Sequence, residues 1–191
     1  DMLPGNFCST ARMIVRTHHE NFDGSGYPQR IAGKKLHIFT RIARIADAYD
    51  AATANHVYKN AKSPARVLWE MTAGPYRHYY DPVLLKVFAS LIQPFPIGAK
   101  LKLRDGRHAV VVEYNRSHPF RPVVVIAFDE HGHRLPDDHL VGPLNMEDHD
   151  ELQIRSFSGE DLSYLTEAPH EIESSEALPY RFASVFEAAF P

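Results

Sequence analysis

The sequence predicts an α+β chain: an all-α segment followed by a small antiparallel β module, either barrel-like or a curled sheet. Two observations predict it. Up to about residue 92, apolar residues recur at three and four positions, the period of a helix face. After Pro94-Phe95-Pro96 they recur at two, the period of a half-buried strand. The expected units are therefore a helical segment over 1–93, a β module over 97–156, and an acidic tail over 157–191 that ends in a short amphipathic helix.

The elements follow in order. Phe7, Ala11, Ile14 and Val15 give a helix from Phe7 to Arg16, with Ser9 as an N-cap candidate. Residues 21–36 read as a Gly-rich loop with a second turn at Gly33. A strong helix over 37–54 carries the stripe Ile38, Ile42, Ile45, Ala46, Tyr49 and Ala52. Ser63-Pro64 starts a third helix, Ser as N-cap and Pro at the first helical position, which stops at Gly74-Pro75. Asp81-Pro82 opens a fourth, to Ile92. In the β module, 99–104 alternates as a strand, Asp105-Gly106 signals a hairpin, and 108–114 returns. Residues 122–128 read as a fully buried strand, and Leu152 to Arg155 closes a set of four or five strands. In the tail, Phe182, Val185, Phe186 and Phe190 form the apolar side of the final helix.

Composition bounds the function. A net charge of −3 argues against polymeric nucleic acid held by bulk electrostatics. A single cysteine, Cys8, excludes an intrachain disulfide and suits a reducing compartment. No apolar run approaches the ~18 residues of a membrane span. Residue 1 is Asp rather than Met, so a fragment is expected. The 12 histidines are many for 191 residues. Most of them (His37, His78, His108, His118, His131, His133, His139 and His170) show no ligand spacing and are expected at the surface.

The chemistry concentrates in His18-His19-Glu20-Asn21-Phe22-Asp23-Gly24-Ser25-Gly26-Tyr27-Pro28. His18 continues the face of Ile14 and Val15, and His19 is rotated by about 100° from it. Such a pair can serve two metals side by side, ~3.5–4 Å apart. Asp-Gly-Ser-Gly then breaks the helix and offers backbone N–H groups and the Tyr27 hydroxyl beside the imidazoles, a place for a phosphate. Glu20 and Asp23 are expected to cap or brace this loop, with Arg41 and Asp50 as further braces. Asp47 sits beside the stripe of the second helix. A carboxylate near a buried face is costly unless it is paired or binds a metal, which singles Asp47 out.

The eleven-residue string resembles the signature of the HD-GYP family, HHExxDGxGYP. The resemblance continues through Leu36 to Thr53 and ends at about residue 93. It implies the C-terminal part of a bacterial metal-dependent phosphodiesterase that opens cyclic di-GMP, within the HD phosphohydrolase superfamily. By resemblance, His18, His19 and Asp47 match metal ligands, and Tyr27 and Lys59 match residues that hold a substrate phosphate. His56 stands where the family usually has the Arg of Arg-x-Tyr-Lys. Arg grips a phosphate with two donors, whereas neutral His offers one. The family's bridging hydroxide lies between two or three divalent ions, Fe or Mn. The remaining ligands, the His-Asp dipeptide and the catalytic Lys after it have no matching position here and are expected upstream. His149-Asp150 lies in the β module and is read as coincidence. With His18, His19 and Asp47 alone, one metal binds weakly or none. Expected partners are cyclic di-GMP or a related cyclic dinucleotide, a diguanylate cyclase, or a second copy through apolar surface around Ile14, Val15 and Ile45; the expected compartment is the cytoplasm. The alternative is a degenerate, non-catalytic module for nucleotide sensing or protein docking.

Overall fold

The computed structural model describes residues 8–54 and 61–167. Four helices come first: α1 (Ser9–Thr17), α2 (Ile38–Thr53), α3 (Pro64–Thr72) and α4 (Pro82–Leu91). Six strands follow: β1 (Lys100–Leu103), β2 (His108–Glu113), β3 (Val123–Phe128), β4 (Val141–Asn145), β5 (Ile154–Phe157) and β6 (Glu160–Asp161). The fold is α+β.

Helix starts follow local chemistry. Ser63 accepts a hydrogen bond from Arg66 N–H, and Asp81 accepts from Val83 and Leu84 N–H, each with Pro at the first helical turn. His37 caps α2 through its ring, accepting from Phe39 N–H. The N-cap of α1 is Cys8, not Ser9, and its side chain makes no capping bond.

Ile45, Val67, Met71, Tyr80 and Leu85 form the buried centre of the helical unit. Ile45 thus packs within the chain rather than awaiting a partner. Val15 at 49% and Ile42 at 44% exposure do leave apolar surface on α1 and α2. A second cluster joins Leu101, Leu103, Val111, Val124, Ile126 and Ile154 of the sheet to Phe95, and to Ala65 of α3. Helix α3 therefore touches both cores: Val67 and Met71 enter the helical one, Ala65 the other.

The sheet is open, in the order β4-β3-β2-β1-β5-β6, with every pairing antiparallel. This corrects the barrel-like expectation. Its borders explain why it stays open: β4 carries Pro143, which lacks an N–H, and β6 has only two residues. Strand β4 lies in a stretch with a Gly-Pro turn signal and was not anticipated. Strand β3 alternates between buried and half-buried positions instead of being buried throughout, because only one face of the sheet is fully covered.

Candidate functional site

Helix α1 ends where its side chains begin to serve the site. Thr17 donates to Met13 O at 2.7 Å and meets Thr40 Oγ1 at 2.8 Å, a buried contact that fixes the end of α1 to the start of α2. His18 closes the helix through its N–H to Ile14 O. Its Nδ1 lies 2.9 Å from Val15 O. A carbonyl can only accept, so Nδ1 carries the proton and Nε2 of the neutral ring keeps its lone pair. That is the tautomer a metal-binding imidazole adopts when its other nitrogen is tied to a carbonyl.

The rings of His18 and His19 lie 4.0 Å apart, and the Tyr27 ring stacks on His19 at 4.9 Å. Tyr27 is 60% exposed, so its hydroxyl is open to a ligand. The backbone sets this stack, since Tyr27 N–H donates to His19 O. The Tyr27–Pro28 peptide is cis.

The loop is held from within. Glu20 has no exposed surface, and its two carboxylate oxygens accept from Gln29 N–H at 2.6 Å and Ile31 N–H at 3.2 Å. Asn21 donates to Ser25 Oγ, and Asp23 accepts from both the N–H and the hydroxyl of Ser25. Burial pushes the Asp23 carboxyl up, but the bonds from Ser25 outweigh it and hold the group below the usual carboxylate range. Gly26 packs directly on the backbone of His19, Glu20 and Asn21, where a Cβ would collide. Phe22 N–H donates to Tyr79 O, tying the loop to the turn before α4.

Glu20 and Asp23 are thus the braces expected of them. Arg41 is not: it pairs with Asp81, the cap of α4. The arginine that reaches the loop is Arg44, whose Nε donates to Asn21 Oδ1 at 2.9 Å while its guanidinium lies over Tyr80. No loop contact of the Asp50 side chain is seen among the described residues. Asp47 is exposed on α2, so the burial cost that singled it out does not arise, and its assignment rests on the resemblance. His56 and Lys59 lie outside the described residues. Of the histidines expected at the surface, His108 and His118 are half-buried, against Asp129 O and Glu147 respectively, and His170 lies outside the described residues.

The structure therefore brings together His18, His19 and Tyr27 on a braced loop. These donors suit a divalent transition metal in kind but fall short in number. Among the described residues, no group of three or more His, Cys, Asp or Glu side chains could hold a metal ion. None of the described helices is long and apolar enough to cross a membrane.

The chain is similar to known proteins in both of its parts. Residues 2–84 match the HD domain, and residues 101–161 match the KOW domain associated with HD domain. A cyclic di-GMP phosphodiesterase of Pseudomonas aeruginosa is 31% identical over 111 residues, 58% of this chain and 26% of that protein. A 3'3'-cGAMP-specific phosphodiesterase of Vibrio cholerae is 40% identical over 77 residues, 40% of this chain and 15% of that protein. Cyclic di-GMP phosphodiesterase PdeB of Borreliella burgdorferi is 26% identical over 119 residues, 62% of this chain and 31% of that protein. The chain spans less than a third of each of these relatives.

Proposed function

We propose, on the premise that residues 2–84 are of the HD domain family and residues 101–161 of the KOW domain associated with it, that this chain supplies part of a metal-dependent phosphodiesterase site for a cyclic dinucleotide. The observation that carries the reading is the juxtaposition of a half-buried and an exposed imidazole with a tyrosine on one braced loop, with Nε2 of His18 unbonded among the described residues. His18 and His19 would hold divalent ions, Fe or Mn; Asp47, the third ligand by resemblance, does not join them in one ligand group in this structure, and the rest of the ligand set would come from outside the described residues. When bound, such ions lower the pKa of water and neutralise phosphoryl charge. The chain's own residues bind and orient. Tyr27 donates its hydroxyl to a phosphate oxygen, and its stacking on His19 sets that oxygen beside the imidazoles. Lys59, with His56, adds charge and a donor to the same phosphate. The Glu20 and Asn21 contacts keep the loop in one shape, so no ordering of it is required when the ligand arrives. The single cysteine supports a reducing, cytoplasmic setting.

In the full-length protein, His18→Ala and His19→Ala should each lower turnover of cyclic di-GMP with added Mn²⁺ by at least about 100-fold, more than the loss of an outer-shell partner brings. Tyr27→Phe should raise KM more than it lowers kcat. Unchanged turnover in His18→Ala would remove the reading. The second reading is a non-catalytic nucleotide-sensing module. Tight cyclic di-GMP binding without turnover in the full-length protein would establish that one instead.

A further inference from the structure

The β module carries a cleft that the site above does not use. A cavity of about 520 Å³ lies where Lys102, Arg104, Arg155, Ser156, Gly159 and Asp161 meet. Small-molecule sites fall in this size range. Its charge runs against that of the chain, three cations and one carboxylate on a molecule of net charge −3.

The sheet builds this cluster through its register. Lys102 of β1 pairs with Ser156 of β5, which pairs with Asp161 of β6. Directly paired residues share a face, so these side chains stand in a row across neighbouring strands. Regular alternation would then turn Arg155 to the opposite face. Instead the register shifts between Lys102 and Leu103, and Leu103 pairs with Ile154. Arg155 is the extra, unpaired residue of a bulge. Ile154 stays in the core while Arg155 and Ser156 both reach the cleft. The turn between β5 and β6 has Ser158 and Gly159 at positive φ, the pattern of a type I′ hairpin. Nothing lies within 4 Å of a Cβ built on Gly159, so this side of the cleft is open.

Two of its donors, the Lys102 ammonium and the Ser156 hydroxyl, have no hydrogen bond or ion pair among the described residues. Arg155 Nε is 3.5 Å from Asp161 Oδ2, too long for a good hydrogen bond. Asp161 is held below the usual carboxylate range first by bonds from Ser163 and then by the charges of Arg155 and Arg104, so both guanidinium fields converge here.

We propose that this cleft binds a small phosphorylated sugar such as a mononucleotide, with Lys102, Arg104 and Arg155 on the phosphate oxygens and Ser156 donating beside them. A guanidinium fork suits a phosphate, and a carboxylate accepts from a sugar hydroxyl. Asp161 also repels a second phosphate, so the set selects a sugar phosphate over a polyphosphate. The proposal stands apart from the hydrolytic reading, since all its residues belong to the β module.

The test is a titration of the ¹⁵N-labelled 191-residue chain with ribose 5-phosphate at fixed ionic strength, following the amides of Gly106, Ser156 and Gly159. Saturable shifts are expected, with binding of inorganic phosphate about tenfold weaker and of ribose weaker still. Lys102→Gln and Arg155→Gln, both at exposed positions, should each weaken binding about tenfold. Asp161→Asn should erase the preference for ribose 5-phosphate over phosphate. Amides far from the cleft report whether each variant stays folded, and any one folded variant decides. Linear shifts matched by sulfate, or equal affinity in the glutamine variants, would overturn the proposal. So would saturable shifts confined to Ser25–Tyr27, or tighter binding of octathymidylate spread across the whole sheet face.

Discussion

Glu20 has no exposed surface, yet it is a carboxylate. It is tolerated because each oxygen accepts a different backbone N–H, of Gln29 and of Ile31. Gln offers one acceptor oxygen and turns an N–H₂ group toward the other donor, so it cannot replace Glu. Glu20→Gln should therefore destabilise the chain nearly as much as Glu20→Ala, each by about 2–4 kcal/mol. Urea denaturation checks this, and a glutamine variant within about 0.5 kcal/mol of the parent, the range of ordinary surface changes, would show that these two bonds do not hold the loop. The bracing role of Glu20 and Asp23 was legible because the partners lie close in sequence and the Gly-rich turn between them is explicit. The Thr17–Thr40 and Asn21–Arg44 contacts were not legible. Each joins residues 23 apart, and nothing local marks them. Asp47 shows the opposite failure: helical periodicity gave its angle, but whether that side of α2 is covered depends on tertiary packing.

Helix α3 shows how an element can be legible in outline and not in its energetics. Its start at Ser63-Pro64 follows from sequence, as does its end before Gly74-Pro75. That Glu70 gathers both Lys62, at 2.6 Å, and Arg66, at 3.0 Å, is a product of the fold. Burial pushes the Glu70 carboxyl up, and the bonds from Lys62 and Arg66 more than offset this, leaving it below the usual range. A carboxyl depressed in the folded state contributes stability above its unfolded value, near pH 4.3, and loses that contribution as pH falls through the folded value. Glu70→Gln should thus cost about 1 kcal/mol at pH 7, after allowance for solvent screening of the half-exposed cations. The gap in Tm between parent and variant should close as pH drops from 6 toward 3. A gap that stays constant over that interval would mean that Glu70 acts by packing alone. Among the strands, β1 and β2 were plain from alternation, while β4 hid behind its Gly-Pro pair.

On the scale of the whole molecule, the two units expected from the change of period share α3. Ala65 is buried in the sheet's core, and Arg66 lies between the rings of Trp69 and Tyr164, at 5.3 and 4.5 Å. Sequence could not show this, because Tyr164 follows the last strand, far along the chain from α3. Ala65→Leu overpacks that junction and should lower stability by about 1–3 kcal/mol. Helix circular dichroism and Trp69 fluorescence should still report one coincident thermal transition, shifted down in both. Two separate transitions in the parent chain would show that the helical and β parts fold independently.

The open sheet has a consequence for crowded conditions. Its exposed main-chain donors and acceptors could in principle template another copy, the route by which flat sheets grow into fibrils. One border is interrupted by Pro143 and the other is two residues long, so neither offers a continuous ladder for a visiting strand. Association between copies would then run through side chains such as Val15 and Ile42 rather than through main-chain ladders. Contacts of that kind are reversible on dilution, whereas a growing ladder is not.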